Sequence, residues 1–301
     1  MTIRSFVLTL GAVFVLYARG VGTAGDAATA LSGADATVYT VAAGDTLTSI
    51  AARFGVYPST IAADNGLPAA RPLEIGRQLR IDNRHVVPRA IAPGEIVVNV
   101  AQRMAFFADG ARVLAYPIAV GRTTWQTPTG SFTVVRKEED PAWHVPASIR
   151  AESARAGHPL PLVVPPGPRN PLGHFWIGLS LAGIGIHGTP AESSIYQAAT
   201  HGCIRLQRDR IADLYSRVLL RTPGRIIYEP ILITESGEDV YIEVHPDVYR
   251  RLPATPHQKA RALAVRLGLD GRIDWERADR EIDRHAGIAR EVRLKPDPTG
   301  T

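Results

Sequence analysis

The sequence predicts a mainly β protein, in which a β-sandwich-like domain follows a small βααβ unit and precedes a short helical extension. Three observations support this fold class. Short apolar runs separated by glycine, proline and aspartate recur between residues 96 and 135 and again between 175 and 186, a pattern typical of β-sandwiches. Apolar residues recur at helical spacing in two short segments between residues 47 and 64. After residue 252 the chain is rich in charged residues, and helix-start and helix-stop signals there predict helices.

Length and composition are those of a two-domain globular protein. The chain has 301 residues, 45% hydrophobic and 21% charged. The formal net charge of +5 falls to +3 when Arg4 and Arg19 of the first 24 residues are left out. This mild positive bias does not argue for nucleic acid as a partner.

Residues 1–24 are predicted to be a secretory signal peptide. Arg4 supplies the positive charge, and Phe6 to Ala18 is an apolar run of 13 residues, too short to span a bilayer comfortably. Gly22-Thr23-Ala24 gives a small-residue cleavage site. The expected location is therefore the periplasm or cell envelope. An uncleaved N-terminal anchor is the alternative, whereas a lipoprotein anchor is excluded because no cysteine follows the apolar run.

Residues 25–37 are predicted to be a flexible linker, and residues 38–82 a strand, two helices and a strand. Val38 to Val41 alternates like a strand, and Asp45 or Thr46 can cap a helix that ends at Gly55. A second helix is expected from Pro58 to about Asn65, and a closing strand at residues 79–81.

This order, with the run YTVAAGDTLTSIAARFG from Tyr39 to Gly55, resembles the LysM module. The resemblance implies binding to glycan that contains N-acetylglucosamine, such as peptidoglycan. Carried over, the contacts come from the loop after the first strand and the loop after the second helix. The residues expected to bind glycan are Gly44, Asp45, Thr46 and Asn65.

Residues 83–94 are predicted to be a linker and residues 95–229 the β-sandwich-like domain. Strands are expected at residues 96–100, 104–107, 113–120, 132–135, 175–179, 184–186 and 225–228, with a short helix at residues 209–215. Asp109-Gly110 is a hairpin signal. Residues 136–170 contain many prolines and predict a long loop, of a kind that is usually functional. In it Trp143, His144 and His158 either contact a substrate or pack at the surface.

Residues 230–301 are predicted to hold one strand, Val240 to Val244, and then a charged helical extension. Thr255-Pro256 marks the start of one helix, and Gly268 its end. Asp274 can cap a second helix that runs to His285. We expect the segment from Lys295 onward to be disordered.

The chemistry is expected in the stretch Ile186 to Leu206. It contains the single cysteine of the chain, Cys203, and His187 sixteen positions before it. A thiol is mostly protonated at neutral pH, and an imidazole can take its proton and hold the thiolate as an ion pair. Backbone amides beside Gly202 could then stabilise the oxyanion of an acyl-transfer intermediate.

Other interpretations of Cys203 are available. A lone cysteine is commonly a small core hydrophobe. A structural zinc site is weakly indicated, because one cysteine and two histidines fall short of four ligands. A papain-like protease is excluded by chain order, since there the cysteine precedes the histidine.

The motif His187-Gly188-Thr189, followed by Thr200-His201-Gly202-Cys203-Ile204-Arg205, resembles that of the L,D-transpeptidase (YkuD-type) catalytic domain. The likeness covers roughly residues 95–228. The upstream runs TPTGSF from Thr127 and PPGPRNPLG from Pro165 match the same family.

The resemblance implies a role for each motif residue. Cys203 is the nucleophile, His187 the general base, and the carbonyl of Gly188 orients His187. The amides of His201, Gly202 and Cys203 donate to the oxyanion, and the His201 side chain has a positioning role. Arg205, Thr200 and Thr189 are expected to contact substrate, with a structural salt bridge as the alternative for Arg205.

The implied reaction is acyl transfer from a peptidoglycan tetrapeptide stem, with release of D-Ala and no metal or organic cofactor. Three acceptors are open: a second stem giving a 3→3 crosslink, a lysine of an outer-membrane lipoprotein, or water, which would make the enzyme an L,D-carboxypeptidase. The alternative from another class is a peptidoglycan-binding protein without catalysis. We expect a monomer whose partners are stem peptides and glycan.

Overall fold

The computed structural model describes residues 31–68, 72–88 and 91–294. The predicted signal peptide, the first part of the linker that follows it, and the segment from Lys295 lie outside the described residues. The mainly β prediction is confirmed, since 19 strands accompany six α-helices within these ranges. No helix among them is long and apolar enough to cross a membrane.

The N-terminal unit, residues 31–88, contains the predicted strand–helix–helix–strand order. Its elements are β1 (Leu31–Ser32), β2 (Thr37–Thr40), α1 (Leu47–Phe54), α2 (Pro58–Asp64), β3 (Gln78–Ile81) and β4 (His85–Val86). Thr46 caps α1, because its hydroxyl accepts from the Ser49 amide while the Ser49 hydroxyl accepts from the Thr46 amide. Gly55 ends α1 at φ +70°, a conformation that favours glycine. The two helices bury Ile50 and Ile61 against Leu79 of β3.

The central unit, residues 91–229, is built on an eight-stranded sheet. Its elements are β5 (Ile96–Asn99), β6 (Met104–Asp109), β7 (Arg112–Pro117), β8 (Val120–Gly121), β9 (Gly130–Glu139), β10 (Trp143–His144), α3 (Ala147–Arg155), β11 (Val163–Val164), β12 (Phe175–Leu179), β13 (Gly185–His187), β14 (Ala198–Thr200), β15 (Ile204–Arg205), α4 (Arg208–Arg217) and β16 (Pro223–Ile227). The strand order is β15-β13-β12-β9-β16-β5-β6-β7. The pairs β13–β15 and β16–β5 are parallel and the others antiparallel.

Two expectations for this unit are corrected. The strand expected at residues 113–120 is divided after Pro117 into β7 and β8, because proline lacks the amide that a ladder needs. The region 136–170 is not a continuous loop. Strand β9 extends to Glu139, β10 pairs with β11, and α3 lies between them. None of the residues of α3 is buried. A helix that buries no face needs no apolar stripe, and without such a stripe its sequence did not predict a helix.

The C-terminal unit, residues 230–294, is more than one strand and two helices. It contains β17 (Ile231–Ser236), β18 (Asp239–Val244), α5 (Pro256–Arg266), α6 (Trp275–Arg284) and β19 (Arg290–Glu291). The three strands form one antiparallel sheet, and its core includes residues of both helices. Both helices begin as predicted, with caps at Thr255 and Asp274.

The C-terminal unit contacts both of the other units around Glu243. Glu243 is 0% exposed, and its Oε1 lies 2.8 Å from His85 Nδ1, 2.8 Å from His245 Nε2 and 3.0 Å from Gln102 Nε2. Tyr57 of the N-terminal unit lies 2.9 Å from the other ring nitrogen of His245. His85 and Val86 are buried. This part of the segment 83–94, which was predicted as a linker, is therefore packed between the units.

Candidate active site

Parallel pairing of β13 with β15 brings the two ends of the motif together. Ile186 pairs with Ile204, and His187 pairs with Arg205. Cys203 precedes β15 directly, so the intervening chain returns it to the strand that ends at His187. Both side chains line the same cleft.

His187 is held in one tautomer by its neighbour. Its Nδ1 lies 2.6 Å from the carbonyl oxygen of Gly188. A carbonyl only accepts, so Nδ1 donates its proton there and Nε2 keeps the lone pair that a general base needs. His187 is 3% exposed, and burial lowers its pKa to about 3, assisted by the charge of Arg205.

The indole of Trp176 stacks on His187. The ring centroids are 5.7 Å apart and the planes are inclined by 26°. A Cβ on Gly185 would lie 2.3 Å from the indole, and one on Gly178 would lie 3.1 Å from its Nε1. Two glycines thus provide the space in which Trp176 supports the imidazole.

Cys203 is half-buried and carries a free thiol. Its Sγ donates to the carbonyl oxygen of Gly183 at 3.6 Å. The surrounding protein desolvates the sulfur and raises the pKa of the thiol above its ordinary value, while a backbone hydrogen bond from Gly185 and the charge of Arg205 act in the opposite direction.

These two pKa shifts do not support the ion pair expected from the sequence. Burial disfavours the charged form of each group, so both the imidazole and the thiol in this cleft are expected to be neutral. The physical reason is that both groups lie in a cleft where little water solvates a charge.

The loop that carries Cys203 is fixed by hydrogen bonds. Thr200 is 1% exposed, and its hydroxyl donates to the Cys203 carbonyl at 2.6 Å and accepts from the Gly202 amide at 3.1 Å. The Gly202 carbonyl accepts from the Thr127 hydroxyl at 2.8 Å. Gly202 has φ +110°, a conformation that side chains rarely adopt. Thr200 thus engages the Gly202 amide in this structure, and the expected use of that amide as an oxyanion donor stays a prediction.

The side chain of His201 is bound by the segment at residues 136–170. Its Nε2 lies 2.7 Å from Glu152 Oε2, and Glu152 Oε1 accepts from the Arg122 guanidinium. Trp125 packs edge-on against the imidazole, with centroids 5.1 Å apart. Glu152 belongs to α3, so His201 connects the Cys203 loop to this helix.

Arg205 and Thr189 differ in their relation to the cleft. Arg205 lines it and has no carboxylate within 4.0 Å among the residues described here, which removes the salt-bridge alternative from this part of the chain. Thr189 lines neither cleft beside Cys203. It is 2% exposed and its hydroxyl accepts from the Ala191 amide, so it supports a turn, and its substrate contact stays a prediction.

Cys203 lies where two clefts meet. The inner cleft, about 360 Å³, contains Arg122, Glu152, His187 and Arg205. The outer cleft, about 580 Å³, contains Trp125, Trp143 and Trp176. Trp143, Ile149, Leu172 and His201 border both. Of the residues singled out in the region 136–170, Trp143 and His144 line a cleft, and His158 lines neither.

The four residues predicted to bind glycan lie in the N-terminal unit, where their side chains have local structural roles. Asp45 Oδ2 accepts from the Tyr39 hydroxyl at 2.6 Å and from the Ala42 amide at 2.8 Å. Asn65 bonds to the backbone of Ile61 and Arg80. Thr46 caps α1, and Gly44 has φ +85°. Their contact with glycan stays a prediction.

Sequence reasoning missed Trp176, Glu152 and Tyr249. Tyr249 is 5% exposed; its hydroxyl donates to the Gly121 carbonyl at 2.5 Å and accepts from the Thr127 amide at 3.1 Å. Trp176 carried a usable signal, since it stands in a strand between glycines. Glu152 and Tyr249 are distant in sequence from the Cys203 motif and lie in segments without a motif of their own. Their contacts with residues around the site could therefore not be inferred.

Comparison with known proteins gives two family matches and several relatives. Residues 93–227 match YkuD, the L,D-transpeptidase catalytic domain, and residues 39–82 match the LysM domain. The probable L,D-transpeptidase ErfK/SrfK of Escherichia coli (strain K12) is 33% identical over 235 residues, which cover 72% of this chain and 72% of that protein. The probable L,D-transpeptidase YbiS of the same strain is 36% identical over 56% of each chain. The putative L,D-transpeptidase YkuD of Bacillus subtilis (strain 168) is 30% identical over 60% of this chain and 92% of that protein.

Proposed function

This chain belongs to the L,D-transpeptidase family, and on that premise we propose that Cys203 takes the acyl group of a peptidoglycan tetrapeptide stem, releases D-Ala and passes the acyl group to an amine. The observation that supports this most is that Cys203 and His187, whose tautomer is fixed by the Gly188 carbonyl, line the same cleft, and that Cys203 also lines a second cleft.

In the proposed reaction, His187 Nε2 takes the thiol proton as sulfur attacks the carbonyl of the third stem residue. A tetrahedral intermediate forms, and the amides of His201, Gly202 and Cys203 are proposed to donate to its oxyanion. The C–N bond to D-Ala breaks, and the imidazolium returns the proton to the leaving amine. The thioester is then attacked by the acceptor amine, which restores the thiol. Arg205, without a carboxylate partner among the described residues, is proposed to bind a substrate carboxylate.

The two clefts favour transfer over hydrolysis. A transferase has to hold the acyl chain while an amine approaches the thioester, and Cys203 lines both of two adjoining clefts. An L,D-carboxypeptidase needs only one such space. The amine is proposed to come from a second stem, giving a 3→3 crosslink, or from a lipoprotein lysine.

The LysM domain at residues 39–82 is proposed to bind peptidoglycan glycan, with contacts around Gly44, Asp45, Thr46 and Asn65, and an envelope location follows from that ligand. Cys203→Ala should then abolish transfer and leave binding of the chain to isolated sacculi unchanged. Loss of sacculus binding in this variant would contradict the proposed division of labour.

Mass spectrometry of the intact chain after incubation with a carbapenem tests the nucleophile. One covalent adduct is expected, because a β-lactam carbonyl acylates an activated cysteine and Cys203 is the single cysteine. Cys203→Ala should give no adduct, and His187→Gln should give it much more slowly. A folded, reduced chain that forms no adduct would favour a peptidoglycan-binding protein without catalysis.

A further inference from the structure

The inner cleft carries more positive than negative charge. Two guanidinium groups line it, those of Arg122 and Arg205, and Glu152 is the one carboxylate among its described lining residues. Within the described parts of the chain, the Nε atoms of both arginines are buried and without a hydrogen-bond partner. Burial lowers the pKa of Arg205, as expected for a cation that has little solvent around it. These features indicate a site for an anion.

Glu152 already supplies one anion to this cleft. Its two oxygens are divided between the Arg122 guanidinium and His201 Nε2, the second at 2.7 Å. The hydrogen bonds from His201 and Arg122 hold the pKa of Glu152 below its ordinary value, so it is ionised at neutral pH. His201 is two residues from Cys203, and the carboxylate therefore lies close to the proposed point of acyl transfer.

The helix that carries Glu152 is weakly attached. None of the nine residues of α3 is buried, and its first turn has no side-chain cap. The Arg122 and Glu152 side chains are 35% and 34% exposed, and ion pairs with this degree of solvent access contribute little to stability. Displacing Glu152 from Arg122 should therefore cost little free energy when another carboxylate takes its place.

We propose that Arg122, with His201, forms a carboxylate-binding subsite of the inner cleft, which Glu152 occupies in this structure and which the terminal carboxylate of the donor peptide takes by displacing Glu152. This inference rests on the proposed function. The leaving D-residue follows the scissile carbonyl directly, and one extended residue spans about 3.5 Å. Its carboxylate therefore has to bind within a short distance of Cys203. Donor binding would release α3 and widen the inner cleft.

A cycle of two ligands and several variants tests the subsite. Calorimetry with the full-length Cys203→Ala chain would measure binding of a tetrapeptide ending in D-Ala, as the free acid and as its C-terminal amide. Because a charge-assisted contact is worth more than a neutral one, we expect the acid to bind about tenfold more tightly. Arg122→Gln should bring the ratio of the two affinities close to one. Glu152→Gln should raise the ratio, because it removes the competing carboxylate.

Arg155→Gln is the matched control, since Arg155 is an exposed residue of α3 and the variant loses the same charge as Arg122→Gln. It should leave the ratio unchanged. A ratio that survives Arg122→Gln but disappears in Arg205→Gln would overturn the Arg122 subsite and assign the terminal carboxylate to Arg205. A lower ratio in Glu152→Gln would overturn the displacement.

A second readout separates failure of this subsite from failure of the proposed donor. The rates at which iodoacetate and iodoacetamide alkylate Cys203 can be compared, because these reagents differ in one carboxylate. Arg122→Gln should lower the iodoacetate-to-iodoacetamide ratio several-fold and Glu152→Gln should raise it. If neither peptide binds but the iodoacetate-to-iodoacetamide ratio changes as expected in both variants, the proposed tetrapeptide donor is wrong and the carboxylate subsite is supported. If neither peptide binds and the ratio is unmoved, both are overturned.

Discussion

Trp176 and His187 are stacked face to face, with ring centroids 5.7 Å apart and planes inclined by 26°. Together with the hydrogen bond from His187 Nδ1 to the Gly188 carbonyl, this contact restricts both the plane and the rotation of the imidazole. The consequence is a base whose lone pair points in one direction before substrate arrives, which removes an orientational cost from the barrier.

Replacing Trp176 should therefore reduce the acylation rate more than substrate affinity. Aromatic pairs of this kind are worth about 0.5–1.5 kcal/mol, so we expect Trp176→Ala to slow carbapenem acylation by roughly threefold to tenfold. Trp176→Phe, which keeps a ring against His187, should recover most of the rate. Stopped-flow acylation over a range of carbapenem concentrations separates the rate constant from the affinity.

Trp275→Ala provides the control, since that indole packs against Arg261 in the C-terminal unit. It should lower the melting temperature without changing the acylation rate constant. If Trp275→Ala slows acylation as much as Trp176→Ala does, the loss reflects general destabilisation and the stacking on His187 has no special role.

The pH dependence of Cys203 alkylation should show a single inflection on the alkaline side of an ordinary thiol. Burial raises the thiol pKa above its ordinary value and lowers the His187 pKa to about 3. The reactive thiolate is thus populated only as pH rises through the raised thiol pKa, and protonation of His187 contributes nothing near neutral pH. Iodoacetamide rates measured from acid to alkaline pH test this. A rate plateau extending below neutral pH would instead indicate a preformed thiolate–imidazolium pair.

The sequence predicted those parts of the site that lie in one motif. His187, Cys203, Gly188 and Arg205 could be named because residue type and spacing are local information. The ionisation of the two reacting groups could not, since it depends on how much water reaches them after folding. Glu152 was equally inaccessible, because α3 has no apolar stripe and its polar contact with His201 joins residues 49 positions apart.

The fold shows the same division. Helices α1, α5 and α6 begin at the predicted caps, because capping is decided within a few residues. The three-stranded sheet of the C-terminal unit was seen only as its middle strand. The contacts of Glu243 with His85 and Gln102 arise from tertiary packing. No local sequence pattern around Glu243 indicates that this position is buried.

Tyr249→Phe should weaken catalysis although Tyr249 lies outside the matched residues 93–227. The Tyr249 hydroxyl joins the Gly121 carbonyl to the Thr127 amide, and Thr127 in turn holds the Gly202 carbonyl. Removing the hydroxyl leaves a buried amide unsatisfied, at a cost of about 1–3 kcal/mol. We expect a lower melting temperature and a several-fold slower acylation by carbapenem. Tyr241→Phe, which removes a hydroxyl from β18 instead, should leave the rate unchanged; equal loss in both variants would contradict the connection.

The buried carboxylate of Glu243 should make the free energy of unfolding decrease at acid pH. Burial alone would raise its pKa, but His85 and His245 hold it at about 2, against 4.5 when unfolded. A depressed carboxyl pKa contributes stability that is present above pH 4.5 and is lost as pH falls towards 2. Burial also lowers the pKa of His245 from 6.5, so unfolding takes up a proton there below about pH 6.5. Both effects have the same sign, and the free energy of unfolding should decrease progressively from about pH 6.5 downward.

Glu243→Gln tests this network at neutral pH and in acid. The introduced amide offers one oxygen where the carboxylate offers two to its buried donors, and a buried donor left without a partner costs about 1–3 kcal/mol. The variant should also lose the part of the pH dependence between 4.5 and 2. Glu235→Gln is the matched control on the neighbouring strand, where the side chain is 53% exposed and paired with Arg272; it should cost at most about 1 kcal/mol. Urea unfolding of both variants at neutral pH and near pH 4 gives the values needed. Equal destabilisation by the two substitutions at neutral pH would mean that Glu243 does not join the three units, because a joining contact has to be worth more than a surface pair.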